Sequence, residues 1–105
     1  MSRHIFDDRH DTDSRRYCAV YLAGSRLVVE MHDLGAVVQQ AFGADEYEAI
    51  RTLSAEETVR LRDLLGAPHD LIAEIGARFD SDAAGFGRFL REHGLEGDFW
   101  NRIGS

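Results

Sequence analysis

The stretch DEYEAIRTLSAEETVRLRDLLG, Asp45 to Gly66, holds an acidic-edged strand that runs straight into a capped helix. In its first half, Tyr47, Ala49 and Leu53 interleave with Glu48, Ile50 and Thr52. That period of two predicts a strand over 46–53. Ser54-Ala55-Glu56-Glu57 then has the spacing of a capping box: the serine accepts from a first-turn N–H and Glu57 reaches back. Two acids in the first turn also favour the positive end of a helix. Val59, Leu61, Leu64 and Leu65 supply its apolar stripe, and Gly66-Ala67-Pro68 stops it.

Upstream, two apolar runs, 16–23 and 26–32, flank Gly24-Ser25. A Gly-Ser pair in that place predicts a two-residue type II′ hairpin, with glycine supplying the positive φ. In this register Cys18, Val20 and Leu22 share a buried face with Leu27, Val29 and Met31, while Glu30 and His32 face away or toward a rim. Val37, Val38, Ala41 and Phe42 have helical spacing over 36–42, ended by Gly43. A further amphipathic helix is predicted over 69–79. Another, capped by Asp80 or Asp82, carries Phe86, Phe89, Leu90 and His93 to Gly94. The segment 97–103 reads as a short turn or helix, its aromatics Phe99 and Trp100 closing the core.

The resulting fold class is α+β. An N-terminal hairpin plus a third strand forms a small antiparallel sheet, covered on one face by three to four C-terminal helices. Residues 1–14, polar and aperiodic, read as a flexible tail, and 15–105 as a single α+β domain.

Composition narrows the function classes. The chain has 105 residues, 19 acidic against 12 basic, and a net charge of −7. All of its cations are arginine, mostly scattered. Nucleic-acid binding needs clustered cations to neutralise phosphates, so no nucleic acid is expected as a partner. Nor is a membrane: the apolar runs are far shorter than a span. Ser2 to Asp8 lacks the apolar core of a secretion signal, and the lone Cys18 leaves no internal disulfide. A cytoplasmic protein is the expectation.

Four patterns invite chemistry. His4, Asp7, Asp8, His10, Asp11 and Asp13 form a run of metal-ligand types, but a metal centre needs a rigid supporting shell that this polar segment lacks. Asp80-Ser81-Asp82-Ala83-Ala84-Gly85 has a calcium-loop beginning; Ala84 at its fifth position and Arg91 at its twelfth disqualify it, and helix capping explains the acids. Gly85-Phe86-Gly87 belongs to no phosphate loop. A cysteine inside an apolar strand has a raised thiol pKa, and no G-x-S-x-G elbow is present. No enzyme, cofactor or resident metal is expected. What remains is an acidic, aromatic-bearing surface at Asp45, Glu46, Tyr47, Glu48 and Glu57. It reads either as ordinary solvating charge or as a docking surface for a basic protein.

The segments Leu27-Val28-Val29-Glu30, Asp33-Leu34-Gly35 and 42–48 (FGADEYE), followed by a capped helix, resemble a group of small bacterial proteins of uncharacterised role. The ending 89–100 (FLREHGLEGDFW) is similar to the tail of that group and to tails of small immunity proteins that neutralise bacterial toxins. The resemblance covers about residues 17–103, with Asp33, Gly35, Glu46 and Tyr47 as its best matches. In the usual pattern an aromatic pair follows a Gly-Ile turn; here Leu95 replaces the isoleucine and Gly97-Asp98 intervenes. The resemblance implies an acidic, cytoplasmic, non-catalytic protein that occludes a basic toxin domain. Hairpin edges, with Tyr17 and Tyr21, leave both a monomer and a homodimer open. The alternative from the residues alone is a metal-binding or metal-regulated domain using the N-terminal His/Asp run.

Overall fold

A hairpin is the centre of the sheet. β2 (Ser14–Ala23) turns through Gly24-Ser25 into β3 (Arg26–Gly35), and Ala23 faces Arg26 at the closing pair. The computed structural model describes residues 3–10, 14–35 and 46–104. Only Gly24 of the two turn residues has positive φ, +62°, as a type II′ turn requires. Cys18 pairs with Met31, Val20 with Val29 and Leu22 with Leu27, so the alternation read from sequence sets the register. β4 (Glu46–Thr52) adds antiparallel to β3, placing His32 opposite Glu48.

The sheet is larger than the expected three strands. Among the described residues it has five, all antiparallel, in chain order β1 to β5. β1 (Arg3–His10) pairs with β2, so the expected flexible tail over 1–14 is replaced there by an edge strand. Phe6 explains the difference. The register shifts between Ile5 and Asp7, and this bulge sends Phe6 into the core, 4% exposed, where its ring stacks on Phe86 at 5.6 Å. β5 (Asp98–Gly104) pairs with β4 where a turn or helix was expected. Its aromatics do not close the core: Phe99 and Trp100 are half-exposed on the other sheet edge. The helix expected over 36–42 falls outside the described residues.

Three helices fill the connection between β4 and β5: α1 (Ala55–Leu64), α2 (Leu71–Phe79) and α3 (Ala83–Glu92). Each begins with a side-chain cap. Ser54 and Glu57 complete the capping box, and the Asp70 and Asp82 carboxylates accept from the N–H groups of Ala73 and Gly85. Their apolar stripes close over one face of the sheet. Leu61, Ile75, Phe86 and Leu90 meet Val20, Leu27 and Leu53 in a core where each is 2% exposed or less. Leu95 completes it, with a backbone bond to Leu90 O at 2.8 Å ending α3.

The helical layer is tied to the sheet by one buried polar side chain. Thr58 Oγ1 accepts from the Leu27 N–H at 3.0 Å and donates to Ser54 O at 2.8 Å. Among the described residues, no helix is long and apolar enough to cross a membrane. The helices cover one face only. Among the described residues, no helix lies on the opposite face of the five-stranded sheet, and this asymmetry positions everything that follows.

Candidate functional site

Strand alternation assigns the uncovered face. Tyr17 and Tyr21 of β2, Glu30 and His32 of β3, Glu46, Glu48 and Ile50 of β4, and Trp100 and Arg102 of β5 share it. Trp100 stands opposite Ile50 and is 49% exposed. At the β1 edge, Ile5 is also exposed. Aromatic and aliphatic groups therefore alternate here with charge.

Two polar clusters organise this face. In the first, the Arg3 guanidinium donates to the Tyr17 hydroxyl at 2.6 Å and to Glu30 at 2.8 Å, and lies over the Tyr21 ring at 4.5 Å. Burial, with the Glu30 charge behind it, pushes the Tyr21 phenol up from its ordinary value. This cluster is internally neutral.

The second cluster brings together what the sequence pattern had only partly joined. Glu46 and Glu48, two residues apart on β4, project side by side, and Arg102 of β5 donates to one oxygen of each at 2.7 Å. His32 Nε2 lies 3.3 Å from Glu46 and 3.7 Å from Glu48. The Glu48 carboxyl is held below the usual carboxylate range, first by its hydrogen bond with Glu46 and then by Arg102. One guanidinium is shared by two carboxyls, so with both ionised the pair is one positive charge short. His32, Glu46 and Glu48 also present three ligand atoms within 4.8 Å of one another, a spacing that suits a divalent ion. In the structure Arg102 supplies the positive charge at that position.

The five residues singled out from sequence have separate fates. Glu46 and Glu48 come together as described. Tyr47 projects to the other, helix-bearing face, in register with Asp33 and Ile103. Asp45 lies outside the described residues. Glu57 is tied to the backbone: its carboxylate accepts from Ser54 N at 2.9 Å and from Gly97 N at 3.1 Å. Those two backbone N–H groups, Ser54 first, lower its pKa. His32 and Arg102 were not singled out. His32 was findable, because the hairpin and third strand place it across from Glu48. Arg102 gave no signal while 97–103 read as a turn or helix.

The other ligand and nucleophile types are engaged elsewhere. His4 and Asp7 are on the helix-bearing side, where His4 Nε2 bonds the Asp80 carbonyl at 2.6 Å and Arg9 clamps Asp7 at 2.9 Å. Asp11 and Asp13 lie outside the described residues. Asp82 caps α3 rather than opening a calcium loop. The Cys18 thiol is pushed up to about 11 by burial, then by the charges of Asp7 and Asp33, so it stays protonated at neutral pH. His93 packs on Phe89 with ring centroids 4.5 Å apart. Set against protein-family descriptions, curated proteins and solved structures, the chain shows no match to any of them.

Proposed function

We propose that this domain is a non-catalytic protein-binding module whose uncovered sheet face receives a basic partner, in the manner of a cytoplasmic immunity protein occluding a toxin or effector domain. The observation that carries the reading is the pairing of Glu46 and Glu48 on an open face, sharing one arginine, beside the half-exposed Trp100. A partner's arginine or lysine meets a local charge deficit there. Trp100, Tyr17 and Tyr21 supply the large, rigid side chains that anchor interfaces. The net charge of −7 steers a cationic protein toward the domain over longer range. The buried, protonated Cys18 gives no support to a thiol-based reaction.

The test is co-expression with the products of the adjacent genes, followed by light scattering on the purified complex and titration of the separated components. Glu46→Gln with Glu48→Gln keeps side-chain size and removes the charge. It weakens binding by about thirtyfold, or about 2 kcal/mol, the low end for truncating a charged interfacial contact. Trp100→Ala weakens it comparably. Binding that is unchanged in both variants, or a complex formed through the helical layer, refutes the assignment.

A further inference from the structure

On the other side of the sheet, between it and α3, runs a groove of about 590 Å³. That volume is in the range of small-molecule sites, roughly 300–1,000 Å³. Val29 and Ala49 contribute from the sheet; Phe86, Gly87 and Leu90 contribute from α3. Phe99 of β5 flanks it and remains 53% exposed.

Two cations border this apolar surface, Arg51 of β4 and Arg91 in the last turn of α3. Arg51 lies over the Phe99 ring at 5.0 Å and donates to the Glu96 carbonyl, which is a neutral acceptor. Among the described residues, neither Arg51 nor Arg91 forms an ion pair, whereas most arginines elsewhere on the domain face a carboxylate. In a chain of net charge −7, two unneutralised guanidinium groups on one groove are unexpected.

The acids bordering the groove are committed elsewhere. Asp7 sits on β1, three strands from β4 and so about 14 Å away at the usual spacing, and is clamped by Arg9. Asp82 caps α3 through the Gly85 N–H at 2.9 Å. Arg16, also on the groove, is paired with Asp33 at 3.0 Å. The groove is therefore polarised, with its free positive charge toward β4 and β5.

We infer that this groove binds a small amphipathic carboxylate, the head on Arg51 and Arg91 and the apolar body along Val29, Met31 and Phe99, the lining side chains that keep accessible surface. A guanidinium presents parallel N–H donors that match a carboxylate's two oxygens. The apolar walls remove the tail from water, and Phe99 covers it from the β5 side. The site is on the face opposite the proposed protein-docking surface, so either can fail without the other.

Octanoate is the probe and 1-octanol its uncharged counterpart, followed by calorimetry and by backbone amide shifts in two-dimensional NMR. Octanoate shifts the amides around Ala49 and Gly87 saturably, with Kd about 1 mM or tighter, and binds about tenfold better than 1-octanol. Arg91→Gln breaks no ion pair and removes only a last-turn charge, so it lowers melting by no more than about 5 °C, weakens octanoate about tenfold and spares 1-octanol. Gly87→Leu fills the groove. A Cβ there meets only Arg91 Nη1, at 3.4 Å, and replacing a helical glycine favours the helix. That variant melts higher and binds neither probe. No saturable shift at about 5 mM octanoate, equal affinity in Arg91→Gln, or shifts confined to the uncovered sheet face overturns the assignment.

Discussion

Glu57 has two possible occupations, and one substitution series separates them. Its carboxylate joins the start of α1 to the entry of β5, one oxygen taking the Ser54 N–H and the other the Gly97 N–H. Glu57→Ala removes both bonds and the favourable charge at the helix start. Hydrogen bonds to a charged acceptor contribute about 1.5–3 kcal/mol when buried, and the helix-end charge about 0.3–1 kcal/mol. Since the carboxylate is partly exposed, we discount these to a loss of about 2 kcal/mol in all. With an unfolding entropy of about 0.22 kcal/mol/K for 105 residues, the melting temperature falls by about 9 °C. Glu57→Gln keeps one acceptor for the capping box but turns an amide N–H toward Gly97, so its loss is about half as large.

The sign of the pH dependence follows from the lowered pKa. Glu57 stabilises fully above its unfolded-state value of about 4.3 and loses that contribution as pH falls through the folded-state value. Urea denaturation of the parent and both variants at neutral pH, and again below about pH 4, is the assay. The gap between parent and Glu57→Gln closes on acidification. If both variants are as stable as the parent at neutral pH yet lose a partner, Glu57 is a contact residue and the anchoring argument is wrong.

Two further perturbations probe the same frame. Thr58→Val leaves the buried Leu27 N–H without its acceptor and lowers stability by about 1–3 kcal/mol, whereas Thr58→Ser retains most of it; equal urea midpoints for all three proteins contradict this. Gly97→Ala places a Cβ 2.2 Å from the Thr52 carbonyl oxygen at a φ of +58°, and costs more than about 2 kcal/mol in left-handed strain and collision. Hydrogen exchange should show the β5 amides losing protection first, and uniform protection in that variant counts against the contact.

The centre of this fold was legible and its edges were not. Gly24-Ser25 fixed the hairpin, and the alternation of Cys18, Val20 and Leu22 fixed which side faces inward. Ser54 and Glu57 marked the helix start because capping is a local interaction between near neighbours. β1 was hidden because its apolar residues, Ile5 and Phe6, are adjacent, and only a bulge reconciles them with a strand. Its charged remainder is also how edge strands are kept from pairing with other chains, and reads as a tail. β5 buries none of its described side chains, so no periodicity marked it. The candidate site shared that fate. Glu46 and Glu48 were visible as neighbours on one face, but His32 and Arg102 reach them only through cross-strand register, a property of the paired sheet.

The chain order of the sheet has a kinetic consequence. β1 through β4 pair with strands adjacent in sequence, but β4 and β5 are separated by all three helices. Closing that long loop carries the largest entropic penalty among the strand pairings, so β5 docks last and detaches first. When it leaves, every second residue of β4 loses the backbone partners it had on β5, and Arg102 departs from both glutamates. A vacated edge of this kind accepts an equivalent strand from a neighbouring molecule, making reciprocal exchange of β5 the natural route to self-association at high concentration.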